Sequence, residues 1–214
     1  MSLQIDNKNC INRLSRYKNA LHRLKAMGFI KVFSDNLADA VDVTPSQVRK
    51  DFSIFGITGN KRGGYQIDEL IEKLNTILGK NEVHKVIIAG LGNIGQALMK
   101  YNGFIKEGIK VVAAFDIDPA KINRLAETPI LPFEEVSDFI KANGVHIAII
   151  CVPDIAANQV LDTLMAAGVK GVLNFSPIKL RGKDGTIINN VNIGLELENI
   201  IYFTRIMEKT NGAV

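Results

Sequence analysis

Three glycines near the middle of the chain have the spacing of a phosphate-binding turn. Gly90, Gly92 and Gly95 form a G-x-G-x-x-G pattern directly after the apolar segment 86–89 and before a helical stretch, 96–107. Glycines at these positions permit a tight turn, close approach of a pyrophosphate to the backbone and close packing of the next helix on the strand. The N-terminus of that helix attracts the phosphate charge. The pattern therefore predicts a dinucleotide site formed by Gly90, Leu91, Gly92, Asn93, Ile94 and Gly95.

An acidic residue stands where such a site needs one for the sugar. The apolar segment 111–115 ends at Asp116, about 20 residues after the last glycine, where an acid accepts hydrogen bonds from the ribose hydroxyls. Its carboxylate repels a 2′-phosphate, and residues 117–119 supply no arginine to offset that charge. We therefore expect NAD(H) rather than NADP(H) as the cofactor. Asp118 is expected to cap a helix that begins at Pro119.

Further apolar segments indicate that the α/β winding continues after Asp116. A third strand over 146–152 is followed by a helix and then by a fourth strand over 171–175. Ligands of doubly wound sheets lie at the carboxyl ends of the strands. The strand ends therefore add further residues to the predicted cleft: Val152, Pro153, Asn174, Phe175 and Ser176. Cys151, at the same edge, has no obvious His partner, so we interpret it as a small buried residue rather than a nucleophile.

This region gives little sign of hydride-transfer chemistry. None of the tyrosines is followed four residues later by lysine, so the Tyr and Lys pair of short-chain dehydrogenases is missing. The three histidines fall on the first helix or at the starts of strands, away from the expected cleft. We therefore interpret the cofactor as a signal and expect the protein not to be an enzyme.

Residues 1–80, which precede the glycine pattern, are more basic than the rest of the chain. Residues 1–80 carry 13 Lys and Arg against 8 Asp and Glu, a net charge of +5, whereas residues 81–214 carry 13 against 14. A basic segment attached to a near-neutral remainder favours nucleic acid as a partner, with a merely solvated basic face as the alternative. The sequence therefore predicts one domain over 1–80 and a second over 81–214.

Helical signals within the first domain indicate a DNA-reading motif. Apolar residues recur at helical spacing over 11–24, and Ser34 is expected to cap a short second helix. Thr44 followed by Pro45 marks the start of a third helix, which runs to about Phe55. One face of this helix is apolar and the other carries small polar and basic side chains. The pattern predicts a helix-turn-helix whose third helix enters the major groove, with an ordinary amphipathic helix as the alternative.

A glycine-rich segment after the third helix is typical of the wing of a winged helix. Residues 58–65 combine three glycines with two cations. The tip of such a hairpin lays basic side chains beside phosphates or in the minor groove. Asp68 is then expected to cap a fourth helix. The predicted DNA-binding residues are Ser46, Gln47, Arg49, Lys50, Lys61, Arg62 and Gly63.

The last predicted helix, about 195–209, is apolar over more than half of its circumference. Such a helix needs burial on several sides. Because helix-turn-helix proteins commonly dimerise to read two half-sites, we expect a second copy of the chain to cover it; packing within its own domain is the alternative.

Composition excludes several other classes. No apolar run reaches the length needed to span a bilayer, and the first residues lack the pattern of a secretion signal, so we expect a cytoplasmic protein with no membrane partner. The two cysteines suggest neither a disulfide framework nor a metal site.

Over nearly its whole length, the chain resembles the redox-sensing transcriptional repressors called Rex. The resemblance is carried by the segments 46–51, 55–56, 62–65, 90–95, 115–119 and 171–177. It implies a winged helix-turn-helix domain followed by a Rossmann domain, and a homodimer with exchanged C-terminal helices. It also implies that the protein represses genes of fermentation and NADH oxidation, and leaves double-stranded operator DNA when NADH binds.

Two positions bear on the redox response. Tyr101 matches a family tyrosine near the nicotinamide, and we expect an apolar pocket that contains Tyr101 and Phe175. Asn192 stands where family members often carry an acid, which removes a charge that could pair across the dimer. Two alternatives stay open: a small NAD-dependent oxidoreductase or CoA-ligand-binding protein, and a DNA-binding protein that holds NAD only for stability.

Overall fold

The chain forms two compact units, Met1–Glu82 and Val83–Val214. A computed structural model describes residues 8–60, 63–183 and 185–211 of them. Among these residues, no helix is long and apolar enough to cross a membrane.

The first unit is a small helical domain with a two-stranded ribbon. Its elements are α1 (Lys8–Ala26), β1 (Lys31–Val32), α2 (Ser34–Val41), α3 (Pro45–Ile54), β2 (Tyr65–Gln66) and α4 (Ile67–Ile77). The two strands pair antiparallel. Three aromatic rings join the helices to the ribbon, because Phe52 of α3 lies edge-on to Tyr17 at 5.5 Å and to Tyr65 at 5.2 Å. The core beneath α3 is therefore continuous with the base of the ribbon.

The helix starts of this unit test the predicted caps. The Thr44 cap is confirmed: its hydroxyl accepts the Gln47 N–H at 3.2 Å, and Pro45 opens α3. The Ser34 and Asp68 caps were wrong. Ser34 is already helical, and the Phe33 N–H at the start of α2 instead donates to the Asn36 side chain at 2.9 Å. Helix α4 begins one residue before Asp68, whose carboxylate pairs with Lys25.

The second unit is built on a six-stranded sheet. Its strands are β3 (His84–Ala89), β4 (Ile109–Asp116), β5 (Ile130–Pro132), β6 (Ile147–Ile150), β7 (Gly171–Asn174) and β8 (Ile187–Asn190). They lie in the order β5-β4-β3-β6-β7-β8, and every neighbouring pair is parallel. The strand order reverses between β3 and β6, which is the switch point where ligands bind in open α/β sheets. The predicted fold class is confirmed.

Helices pack on this sheet, except for the last one, which follows β8 and leaves its side chains exposed. They are α5 (Asn93–Met99), α6 (Gly103–Lys106), α7 (Val136–Asn143), α8 (Asp154–Ala167) and α9 (Ile193–Asn211). The single helical stretch expected over 96–107 was wrong, since α5 begins earlier and the chain leaves helical geometry before Gly103 starts α6. Strand β8 was not predicted.

Helix α9 leaves its apolar side chains exposed in the single chain. The Asn192 carboxamide caps it by accepting the Leu195 N–H at 3.1 Å. Asn and Asp are equivalent N-caps, so Asn192 satisfies the start of this helix as an acid would. The exposed apolar residues of α9 are Ile193, Leu195, Leu197, Ile200, Ile201, Tyr202, Phe203, Ile206 and Met207.

Candidate functional site

A cavity of about 690 Å³ lies at the carboxyl ends of the central strands of the second unit. The glycine turn after β3 forms its floor, the end of β4 forms one side, and the loops after β6 and β7 form the other. Most of its wall is apolar. Its lining includes Gly90, Leu91, Gly92, Asn93, Ile94, Asp116, Ile117, Lys121, Phe133, Val152, Pro153, Ala156, Val160, Phe175 and Pro177.

The three glycines of the turn have three different surroundings. Gly90 has a φ of +95°, and a Cβ there would lie 2.6 Å from the Cys151 carbonyl oxygen on β6's loop. A Cβ on Gly95 would lie 2.0 Å from the Gly90 oxygen, so this glycine sets how closely α5 packs on the turn. A Cβ on Gly92 would meet nothing within 4 Å. The open side of the turn is therefore at Gly92, where a pyrophosphate can approach the backbone.

Asp116, at the end of β4, is fixed by contacts on both of its oxygens. Oδ2 accepts the Leu91 N–H at 2.7 Å and the Lys121 ammonium at 3.1 Å, and Oδ1 accepts the Asp118 N–H at 2.9 Å. Burial acts to raise the pKa of this carboxyl, but the hydrogen bonds from Asp118, Leu91 and Lys121 hold it below its ordinary value. Residues 117–119 contain no arginine, as predicted, but Lys121, two positions further on, pairs with Asp116 and was not predicted.

Two asparagine side chains hold the loop that forms the far wall. The Asn174 carboxamide donates to the Ile178 carbonyl and to the Asn190 side chain, both at 2.8 Å, and its oxygen accepts the Ser176 N–H at 2.9 Å. Asn190 in turn bonds both backbone groups of Leu180. These bonds close the loop on itself, so Phe175 and Pro177 are presented to the cavity by a fixed backbone.

The structure brings most of the predicted cofactor residues to this cavity and leaves four outside its lining. Residues 90–94, Asp116, Val152, Pro153 and Phe175 line it. Gly95 packs behind the turn, Asn174 is buried in the loop network, and the Ser176 hydroxyl donates to the Val152 carbonyl at 2.8 Å. These three residues support the wall from behind.

Tyr101 lies in a different place. It lines a separate cleft of about 650 Å³ with Phe104, Ile105 and Ile109, and its ring packs edge-on to Phe104 at 5.1 Å. The side chain is 59% exposed in the single chain.

Cys151 borders the cavity without the features of a nucleophile. Burial raises the pKa of its thiol to about 12, so it stays protonated at neutral pH. Within residues 8–60, 63–183 and 185–211, no group of three or more His, Cys, Asp and Glu residues is arranged to hold a metal ion.

Sequence reasoning missed several residues of the cavity. Lys121 lies five residues after Asp116. Phe133 follows the three-residue strand β5, which is too short to show the alternation of a strand. Ala156 and Val160 lie on α8, four residues apart and therefore on one helix face. This four-residue spacing is the sequence signal that could have placed Ala156 and Val160 on the same side of the cavity.

In the first unit, helix α3 presents a polar and basic surface. Ser46, Arg49, Lys50 and Ser53 are exposed, and the Arg49 guanidinium donates to the Ser46 hydroxyl at 3.2 Å. Val48 and Phe52 are buried on the opposite face, as predicted. The turn between α2 and α3 is tight because Asp42 adopts a left-handed conformation with a φ of 57°. This geometry is that of a helix-turn-helix.

Gln47 differs from its neighbours on α3. Its side chain is half-buried and donates to Asp51 at 2.8 Å, so it points partly into the domain.

Asp51 anchors α3 to α1. Its side chain is 1% exposed and receives two bonds from the Arg13 guanidinium, at 2.6 and 2.7 Å, and one from the Tyr17 hydroxyl at 2.9 Å. Burial acts to raise the pKa of Asp51, but bonds from Arg13, Gln47 and Tyr17 lower it to about 2. The same carboxylate and burial raise the pKa of the Cys10 thiol to about 11. Helix α3 is therefore held by a buried ion pair.

The base of the predicted wing is closed by backbone contacts between Asn60 and Gly64. Asn60 and Gly64 form a β-bridge, and the Gly64 N–H donates to the Asn60 carbonyl at 2.9 Å. Gly64 has a φ of +65°, and a Cβ there would lie 2.5 Å from the Val32 carbonyl oxygen. Gly63 is half-buried beside this bridge. Lys61 and Arg62, two of the predicted DNA contacts, lie outside the described residues.

Two family models match the chain in these two regions. One is described as "Putative DNA-binding protein N-terminus" and matches residues 8–53. The other is described as "CoA binding domain" and matches residues 81–178.

Whole-chain similarity is more specific. The redox-sensing transcriptional repressor Rex of Desulforamulus reducens is 38% identical over 200 residues, which cover 93% of this chain and 95% of the relative. A crystal structure of RSP in complex with beta-NAD+ and operator DNA matches with a TM-score of 0.87 at 34% identity, covering 95% of this chain and 96% of that one. A crystal structure of RSP in complex with beta-NADH matches with a TM-score of 0.85 at 32% identity over 100% of both chains. With this identity and coverage, the chain belongs to the family of redox-sensing transcriptional repressors called Rex.

Proposed function

We propose that this protein binds double-stranded operator DNA through its first unit and leaves it when NADH binds its second. Transcription of the repressed genes then follows the ratio of NADH to NAD+. The observation that carries the proposal is the match to RSP over 95% of the chain, since RSP was crystallised with both beta-NAD+ and operator DNA. Its relatives are named transcriptional repressors, not enzymes.

The cavity of the second unit fits a dinucleotide. The open side of the glycine turn at Gly92 and the nearby backbone amides suit a pyrophosphate, and Asp116 keeps acceptor capacity for a ribose hydroxyl. Val152, Pro153 and Phe175 supply apolar surface for the bases. Gly95, Asn174 and Ser176 act by packing and by supporting the wall. The dinucleotide serves here as a regulatory ligand, so no chemical step is assigned to it.

The two redox forms of the nicotinamide differ in charge, so an apolar wall can bind them with different affinity. Oxidised nicotinamide is cationic and reduced nicotinamide is neutral, so an apolar environment favours NADH by the cost of removing a charge from water. Phe175 supplies part of that environment in the single chain. We propose that Tyr101 and Ile193 join it in the dimer, because both are exposed and apolar in the isolated subunit.

The first domain, residues 1–80, is proposed to contact DNA bases with α3 and to contact the DNA backbone or minor groove with the wing. Arg49 and Lys50 are exposed at the helix surface and suit base edges in the major groove. Ser46, exposed near the helix start, suits a phosphate. Gln47, proposed beside it, is half-buried and donates one carboxamide N–H to Asp51, which leaves its other N–H for DNA. Lys61, Arg62 and Gly63 form the proposed wing contact with the backbone or minor groove.

A homodimer is proposed from the apolar surface of α9. Its Ile, Leu, Tyr and Phe side chains are exposed along the whole helix, and a second copy of the second domain, residues 81–214, would bury them. A dimer also supplies the two recognition helices that successive major grooves require. A repressor of this kind acts on the chromosome, so we propose a cytoplasmic location.

DNA binding measured against the ratio of NADH to NAD+ tests the proposal. Duplexes are first selected from a random library by the NAD+-loaded protein, and the selected duplex is then titrated by fluorescence anisotropy. We expect NADH to weaken DNA binding and the DNA to weaken NADH binding by the same factor, because coupling between two sites is reciprocal. Equal DNA affinity at all ratios would leave a DNA-binding protein with a passive cofactor.

The recognition helix is tested with Arg49→Ala and Lys50→Ala. Each loses about 1 to 3 kcal/mol of binding to the selected duplex if it contacts a base, and sequence preference relaxes at one position. Arg23→Ala, which removes an exposed cation from α1, is the matched control and should leave the sequence preference unchanged. Normal operator binding by the double variant of α3 would remove this helix from the interface.

A further inference from the structure

The Lys121 side chain folds back over the end of β4. A short turn, Pro119–Lys121, starts at Asp118, whose carboxylate accepts the Ala120 N–H at 3.0 Å. This turn brings the Lys121 ammonium to 3.1 Å from Asp116 Oδ2 and 3.9 Å from Asp118 Oδ2. All three side chains line the cavity. Lys121 is 34% exposed and Asp116 7%, so the cation is the more accessible member of their pair.

Asp116 has little hydrogen-bond acceptor capacity left for a ligand. A carboxylate has about four acceptor positions, and three of them are filled by the Leu91 and Asp118 amides and by Lys121. One position remains for a ribose hydroxyl. The neighbouring ammonium also compensates most of the negative charge that would otherwise repel a 2′-phosphate. Asp116 by itself therefore cannot set how strongly a 2′-phosphate is rejected.

The cation is within reach of the sugar. The free acceptor position is on Oδ1, because Oδ2 already receives the Leu91 and Lys121 N–H groups. A hydroxyl bonded there at an ordinary length lies within about 8 Å of the Lys121 nitrogen. Among the described residues that line the cavity, Lys121 is the single cation, set against Asp116 and Asp118. Arg124, three positions later, is paired with Glu135 on the surface. The local charge is thus net negative, but less so than the two acids alone would make it.

We propose that Lys121 sets the discrimination between a dinucleotide with a free 2′-hydroxyl and one with a 2′-phosphate. This inference rests on the proposed NAD(H) site. The net negative charge favours NADH over NADPH, and Lys121 keeps that preference smaller than Asp116 and Asp118 would make it. Removing the cation therefore widens the preference for NADH.

Fluorescence titrations of the full chain with NADH and with NADPH test this proposal. Lys121→Met is expected to weaken NADPH binding about 10-fold or more, the size of a lost charge-assisted hydrogen bond, and to change NADH binding much less. Lys121→Arg keeps the charge and should stay close to the unmodified protein for both ligands. Lys170→Met is the matched control, because Lys170 is exposed and directly precedes β7, at the end of the strand opposite to the cavity.

A second pair of variants covers the case in which the unmodified protein binds NADPH too weakly to follow. Asp116→Asn removes the repelling charge and should raise NADPH affinity relative to NADH. Adding Lys121→Met should abolish that gain. Survival of the gain in the double variant, or equal weakening of both ligands by Lys121→Met alone, would overturn the proposal. Failure of the proposed function is a different result, in which NADH does not bind the unmodified chain or does not release its DNA.

Discussion

Among the residues that the structure describes, each unit contains one buried aspartate paired with a cation, and the two pairs differ in what surrounds them. In the first unit, Asp51 is held by Arg13, Tyr17 and Gln47, and its side chain is 1% exposed. In the second, Asp116 is held by Lys121 and two backbone amides, and that pair faces a cavity. A carboxylate enclosed by side chains anchors a helix, whereas one fixed by backbone amides beside an open cavity can still receive a ligand.

The largest expected effect comes from breaking the enclosed pair. Asp51→Ala should lower the free energy of unfolding of the first unit by about 3 to 5 kcal/mol, because Arg13 is left partly buried without a partner. Chemical denaturation followed by circular dichroism measures this loss. NADH binding by the second unit should persist in the variant. A loss below about 1 kcal/mol would show that α3 is held by its apolar face instead.

Breaking the open pair should affect the ligand more than the fold. Asp116→Ala is expected to weaken NADH binding by about 10- to 100-fold, and NADPH binding by less, because only NADH has the 2′-hydroxyl that the carboxylate accepts. Isothermal titration calorimetry with both ligands measures the two effects. Asp162→Ala, which removes an exposed acid from α8, is the control. Tighter binding of NADPH than NADH by the unmodified protein would contradict the assignment.

Lowering the pH should test how much the Asp51 ion pair stabilises the first unit. The pKa of Asp51 is lowered to about 2 in the folded protein. A carboxyl with a depressed folded pKa stabilises above its unfolded pKa, and that stabilisation is lost as pH falls through the folded value. We expect a loss of about 2 kcal/mol between about pH 4 and pH 2. Unfolding at several pH values, compared with Asp51→Asn, measures the part that belongs to this group.

The smallest expected effect comes from the neutral anchor of the same helix. Thr44→Ala removes the hydroxyl that accepts the Gln47 N–H and should cost about 1 kcal/mol of unfolding free energy. Thr44→Ser retains the hydroxyl and should cost only a few tenths. An effect as large as that of Asp51→Ala would mean that the cap, rather than the ion pair, fixes the start of α3.

Much of the fold follows from local signals in the sequence. The apolar segments predicted β3, β4, β6 and β7, and the Thr44-Pro45 pair predicted the start of α3 within a residue. Ser34 and Asp68 carried the same capping signal and were wrong, because the Asn36 side chain satisfies the start of α2 and the end of β2 leads directly into α4. A capping residue type indicates a nearby helix start, but tertiary context selects the residue.

The parts of the site that the sequence did not predict depend on contacts between distant or irregular segments. Asn174 and Asn190 lie on adjacent strands, and their pairing needs β8, whose sequence has no strand alternation. The Lys121 contact depends on a single short turn, which brings the Lys121 side chain back to Asp116, five residues earlier at the end of β4. Both features would require knowledge of the backbone path. The glycine turn and Asp116 did not, because their spacing is local.

The asparagine pair that holds the far wall has a further consequence for what the cavity responds to. Carboxamides do not ionise, so the position of Phe175 and Pro177 is independent of proton concentration. Asp116 has a lowered pKa and the Cys151 thiol a raised one, so both keep their charge state near neutrality. NADH affinity should therefore stay nearly constant between about pH 6 and pH 9. A sensor built in this way reports the reduction of the cell's dinucleotide pool without also reporting its acidity.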